Sequence, residues 1–178
     1  MRDHFVLMAD YNRWMNGNMY RAAATLPADA LDAPRGAFFG SILGTINHLV
    51  VADTVWLKRF ASNAPDGRWN ALQALADIAM PDRLDAQPCA DLAAWWARRQ
   101  VLDTAVVDWT GQLLEEDLTR TLQYRSMRGD ANRRRLSYLL LHFFNHQTHH
   151  RGQATTLLSQ CGVDVGVTDL HPRLPAVD

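Results

Sequence analysis

Residues 141–153 read Leu141-His142-Phe143-Phe144-Asn145-His146-Gln147-Thr148-His149-His150-Arg151-Gly152-Gln153. Four of the seven histidines in the chain fall between His142 and His150, where an even spread would put fewer than one. The segment carries an apolar rhythm of threes and fours that continues on both sides: Leu136, Leu140, Phe143, Gln147, His150, Ala154 and Leu157. That spacing predicts a helix over about Leu136 to Cys161, with Gly162 as its C-terminal stop. On this helix His146 and His150 share a face one turn apart, with Cβ atoms about 5–6 Å from each other. His142 falls a further turn back on the same side, and His149 points about 100° away from His150. Leu139, Phe143 and Leu157 flank the pair, so the pattern predicts that it faces the interior of a helical protein.

Two imidazoles buried among apolar side chains need partners, because an unpaired buried polar group costs a few kcal/mol. A metal ion removes that cost, since neutral imidazole is a good ligand for Zn, Ni, Cu or Fe. A third ligand is sought on another buried helix. The segment from about Ser41 to Phe60 is apolar nearly all round, with Ser41 placed as its N-cap, and it holds one histidine, His48. Alone, His48 reads as an ordinary hydrogen-bonded core histidine. Beside an HxxxH pair it completes a three-histidine group, the donor set of zinc sites that keep an open coordination position. Position 147 is Gln and no Glu follows His146, so the HExxH pattern with its glutamate base is absent.

Two further helices complete the outline. Phe5, Met8, Asn12, Met15, Met19, Ala22 and Leu26 mark one over about Arg2 to Leu26, stopped by Pro27. Leu92, Trp95, Arg99, Leu102, Val106, Trp109 and Leu113 mark the other, over about Asp91 to Leu114. The connections are long. Residues 61–90 are rich in Pro, Asp and Gly, with a short helix expected over Ala71–Ile78. Residues 115–135 suggest a small hairpin that turns at Gly129-Asp130-Ala131-Asn132. The expectation is an all-α four-helix bundle with long crossover loops, one domain over residues 1–178 with an irregular tail at 163–178.

Composition narrows the function classes. Eighteen basic and 19 acidic residues leave a net charge of −1, which argues against an electrostatic grip on nucleic acid or an anionic membrane. Lys58 is the single lysine among those basic residues. The Arg133–Arg135 run reads as a solvated face. Cys89 and Cys161 form no CxxC, and Met1-Arg2-Asp3-His4 does not open like a signal peptide, so a cytoplasmic protein is expected. No run is long and apolar enough for a membrane span.

The stretch 141–153 resembles the signature of the DinB/YfiT-like superfamily. So do Tyr11-Asn12-Arg13-Trp14-Met15-Asn16, Gly44-Thr45-Ile46-Asn47-His48 and Gly166-Val167-Thr168-Asp169-Leu170. The resemblance spans essentially the whole chain. It implies a four-helix bundle, commonly a homodimer, holding a divalent metal through one ligand on the second helix and an HxxxH pair on the last. Carried over, the metal ligands are His48, His146 and His150. The resemblance further implies a metal-dependent enzyme of thiol S-transferase or hydrolase type. Zn or Ni, with Mn or Fe also compatible, would activate a low-molecular-weight thiol or water for attack on a small electrophile. Thiol-dependent isomerases of the superfamily that carry Glu in place of one ligand find no support in three histidines.

Two rival readings stand beside the enzyme: a non-catalytic, stress- or damage-inducible metal-binding bundle, and a metal-free helical interaction module. Five more residues are candidates for the site or its surroundings. Asn12 lies in the apolar stripe of the first helix, within reach of the site or of a dimer partner. Asp53 either orients a histidine or pairs with an arginine. Arg151 either holds a substrate anion or makes a structural ion pair. His142 and His149 are either neighbours of the metal or surface residues.

Overall fold

The computed structural model describes residues 1–176. Four long helices dominate: α1 (Arg2–Ala23), α3 (Ile42–Ala61), α4 (Leu92–Gln112) and α5 (Leu136–Gln160), with a one-turn helix α2 (Ala28–Asp32) after the first. Helices α4 and α5 each pack against both α1 and α3, which closes the bundle. Strands β1 (Thr121–Arg125) and β2 (Ala131–Arg135) form an antiparallel hairpin, Thr121 opposite Arg135, that leads directly into α5. This is the expected all-α bundle with a small hairpin before the last helix.

Local chemistry explains the boundaries. Ser41 caps α3 by accepting from the Gly44 amide at 2.9 Å, and Asp91 caps α4 by accepting from Ala94 at 2.7 Å. At the end of α5, Gly162 adopts φ +76°, and Val163 donates back to the Leu158 carbonyl at 3.1 Å, so the last carbonyls are satisfied. Gly44 is required for a different reason. A Cβ there would lie 2.0 Å from the Phe39 carbonyl oxygen, so only glycine lets the loop before α3 lie against the helix.

The core is aromatic at one end. Trp109 stacks on Phe60 with ring centroids 4.7 Å apart and meets Trp69 edge-on at 5.6 Å. Trp95 is fully buried and donates from its indole N–H to the Ile46 carbonyl at 2.9 Å, tying α4 to α3.

Four details differ from the sequence expectations. Helix α1 stops at Ala23, and α2 occupies part of what reads as loop. The helix expected over Ala71–Ile78 is a 3-10 segment, Asn70–Leu75. The hairpin turns over residues 126–130, and Ala131 and Asn132 belong to β2. The tail is irregular apart from a 3-10 turn at His171–Arg173. Its last two residues, 177 and 178, lie outside the described residues.

Candidate metal centre

Helix α3 delivers His48 and helix α5 delivers His146 and His150, and one ring nitrogen from each falls within 4.8 Å of the others. His48 Nε2 and His146 Nε2 are 3.3 Å apart. Two nitrogens each 2.0–2.1 Å from one tetrahedral ion would lie about 3.3–3.4 Å apart, so the spacing fits.

Hydrogen bonds outside the group decide which nitrogens face inward. His48 Nδ1 is 2.8 Å from the Leu84 carbonyl, which can only accept, so Nδ1 carries the proton and Nε2 presents its lone pair. His150 Nδ1 is 2.7 Å from Gln153 Oε1, which leaves Nε2 of that ring free in the same way. The lone pairs of His48 Nε2 and His150 Nε2 are therefore directed into the group, and the neutral His146 ring brings its Nε2 to 3.3 Å from His48 Nε2. Three neutral imidazoles gathered in this way offer the donor set that a divalent cation takes.

The electrostatics agree. Burial pushes the His146 pKa down to about 3, helped by the neighbouring imidazoles of His150 and His48. Burial also lowers His48 and His150, against the opposing hydrogen bonds that they donate to Leu84 and Gln153. All three rings are thus held neutral, the ligand form.

Phe39 covers the group. Its ring stacks on His48 with centroids 3.9 Å apart and meets His150 edge-on at 5.6 Å. Because Gly44 admits the Phe39 backbone, that glycine and the cover over the histidines are one structural device. On the other side the group opens into a cavity of about 450 Å³ lined by His48, His146, His142, Trp56, Arg59 and Tyr124, among others.

The face assignment for α5 needs a correction. The buried stripe runs through Leu136, Leu140, Phe143, Gln147, Arg151, Ala154 and Leu158. His146 and His150 sit half-buried at its margin, each one residue before a buried polar side chain. Gln147 and Arg151 tolerate the interior because partners reach them from other helices. Gln147 donates to Asp53 of α3, and Arg151 donates to Asn12 of α1.

The remaining candidates separate accordingly. Asp53 is fully buried and pairs with Arg99 at 2.6 Å; Arg99 also pairs with Asp103 at 3.1 Å. Asn12 and Asn16 donate to that Asp103 at 3.4 and 2.9 Å. Arg151 has no ion pair within 4 Å among the described residues; it donates to Asn12 and Thr148 and lies over the Tyr11 ring at 5.2 Å. Asn12, Asp53 and Arg151 therefore belong to a buried polar cluster behind the histidines. His142 lines the cavity, its ring 5.9 Å from His146 and 5.1 Å from Trp56. His149 is exposed, 4.8 Å from His150 between ring centroids.

Sequence reading missed Phe39, Leu84, Gln153 and the Trp56–Arg59–Tyr124 wall. Gln153 carried a signal, three residues after His150 on the same helix. Leu84 carried none, because a backbone carbonyl is invisible in a sequence.

A four-helix bundle that gathers three neutral imidazoles from its second and last long helices defines a class of protein able to hold a divalent metal. The chain belongs to the DinB family, whose model matches residues 1–174. It is similar to Protein DinB of Bacillus subtilis (strain 168), 26% identical over 169 residues that span 95% of this chain and 92% of that protein. No solved structure matches it. Among the described residues no helix is long and apolar enough to cross a membrane.

Proposed function

We propose that the protein is a divalent-metal-dependent enzyme in which His48, His146 and His150 are the metal ligands and a small molecule reacts in the adjoining cavity. The observation that carries this reading is the convergence of three neutral imidazoles at the edge of a cavity rather than inside a sealed core. A structural site would close its fourth position with a protein side chain. Among the described residues no fourth His, Cys, Asp or Glu joins the group.

A divalent cation at this point supplies Lewis acidity, making a thiol or a water beside it acidic enough to act as a nucleophile near neutral pH. The chain's own residues do the rest. Leu84 and Gln153 orient two of the rings through their Nδ1 protons. Phe39 excludes water from the His48 side. His142, its pKa lowered by burial and by the nearby Arg59 charge, stands neutral on the cavity wall. There it can accept a proton from a group entering beside His146.

The reaction class favoured is thiol S-transfer to a small electrophile, with hydrolysis as the variant in which water takes the place of the thiol. Zinc or nickel suits three imidazoles best, with manganese or iron next. A homodimer acting in the cytoplasm on a small molecule, with no part for nucleic acid, completes the proposal.

Elemental analysis of untagged protein purified without chelator tests the metal, with His146→Ala alongside. About one divalent ion per chain, absent from the variant, supports the reading. No metal in wild type after reconstitution with Zn, Ni, Mn and Fe overturns it. Thiol-transfer and ester-hydrolysis assays on the loaded protein then decide between the two reaction types, and inactivity in both favours the non-catalytic bundle.

A further inference from the structure

The cavity beside the histidines contains a cation, Arg59, that makes no hydrogen bond to any of the three histidines. The Arg59 guanidinium carbon lies 4.7 Å from the Trp56 ring centroid and 5.0 Å from that of Tyr124. Trp56 in turn meets Tyr124 at 5.3 Å and His142 at 5.1 Å, so the three rings and the guanidinium form one wall. Among the described residues, Arg59 has no carboxylate within 4 Å and its side chain donates no hydrogen bond to protein.

That is an unusual state for a half-buried arginine, which normally finds a counter-charge. Burial lowers its pKa, and the group that opposes the shift is the Tyr124 phenol, not an acid. The nearest alternatives are unsuited. Asp130, also on the cavity, accepts from Ser126 Oγ at 3.0 Å, and Arg128 beside it is exposed and adds positive charge. A guanidinium whose faces meet aromatic rings keeps its in-plane N–H donors free. Their fork matches a carboxylate.

Position supplies the rest. His48 and Arg59 lie on one face of α3, eleven residues or about 16 Å apart along the axis. Helical side chains lean toward the N-terminus, so Arg59 leans over Trp56 in the direction of His48. A cavity of about 450 Å³ between them is in the range that holds a small organic molecule.

We propose that this cavity binds a small, elongated organic carboxylate, its anionic head held by Arg59, its apolar body against Trp56 and Tyr124, and its other end directed toward His48 and His146. Arg59 is then the specificity-determining residue of the site. The direction of the second end rests on the metal reading above; the carboxylate anchor does not.

Calorimetric titration of 2-naphthoate and its neutral isostere 2-naphthamide into the full-length protein tests this, before and after chelator treatment. The expected result is one naphthoate per chain, bound at least about tenfold more tightly than the amide in both preparations. Arg59→Met abolishes the preference, Arg59→Lys keeps part of it, and Arg128→Met keeps all of it. Equal affinity for the two probes in wild type, no binding of either, or a preference that survives Arg59→Met overturns the proposal. If Arg59→Met does not fold, the wild-type comparison and Arg59→Lys still decide. Metal content of the same samples separates the two readings. Carboxylate preference without metal defeats the metal centre alone, and metal without carboxylate preference defeats the anchor alone.

Discussion

The histidine group and the Asp53–Arg99–Asp103 cluster are built on the same bundle, and helices α3 and α5 contribute to both surroundings, yet they differ in one respect. The cluster balances its own charge. Two carboxylates face Arg99, Arg151 lies close by, and Asn12, Asn16 and Gln147 supply donors. The histidine group gathers three neutral imidazoles whose ring nitrogens face one another, with no carboxylate among them in the described residues. Burial depth does not distinguish site from scaffold here, since the cluster is the deeper of the two. What distinguishes them is whether opposite charges meet within the protein. A closed set holds four helices in one arrangement, and an open set needs a ligand. Arg59 is open in the same sense, with the opposite sign.

The comparison is tested most severely by removing ligands. His146→Ala and His150→Ala should each abolish stoichiometric metal, whereas His142→Ala should leave it nearly unchanged, as read by elemental analysis. Loss in His142→Ala with retention in His150→Ala would place the ligands one turn toward the N-terminus of α5.

Next in size is the closed set. Arg99→Met leaves Asp53 and Asp103 buried without their cation and should cost about 3–5 kcal/mol of unfolding free energy in a denaturant titration. A cost below about 1 kcal/mol would mean that the cluster is not closed and that the contrast fails. Gln153→Ala probes the orientation of His150. Loss of an outer partner of this kind costs roughly 10–100-fold in metal affinity, with little change in stability of the metal-free protein. An unchanged affinity in a competition titration would show that His150 needs no such support.

The last test is of pH dependence, where opposing groups leave only a difference to be read. His146 is held at about 3 when folded, against an ordinary 6.5. Between those values the unfolded chain binds a proton that the folded chain does not, so metal-free protein should lose stability as pH falls from 6.5 toward 3. Asp53, raised to about 6 by burial despite Arg99, acts in the opposite direction over part of that range. The His146 contribution is therefore read as the difference between wild type and His146→Ala in melting temperature from pH 7 to pH 4. Parallel curves would assign the acid sensitivity elsewhere.

The four long helices, the cap at Ser41, the stop at Gly162 and the hairpin were all legible in the chain, because periodicity, capping and turn chemistry are local. The convergence of His48 with His146 and His150 was legible too, for a related reason. An HxxxH pair defines one helical face, and only one other nearly all-apolar helix carried a histidine. The inward direction of that pair was misread by one residue. Gln147 already stood in the expected stripe, but Arg151 in place of His150 enters the interior only because Asn12 of α1 accepts from it, and no spacing along α5 contains that information. Arg99 stood in the apolar stripe of its helix from the start, but its carboxylates lie on α3 and on its own next turn. Only the packed bundle shows that they neutralise it.

The sequence by itself determined the bundle, the family and the histidines, since each depends on residues within a few turns or on signature motifs. Only the tertiary structure decided which polar groups are completed by the protein and which are left open. That property belongs to distances between elements far apart in the chain: the Leu84 carbonyl that sets the His48 tautomer, the Phe39 ring admitted by Gly44, and the aromatic rings that, among the described residues, stand beside Arg59 in place of a carboxylate.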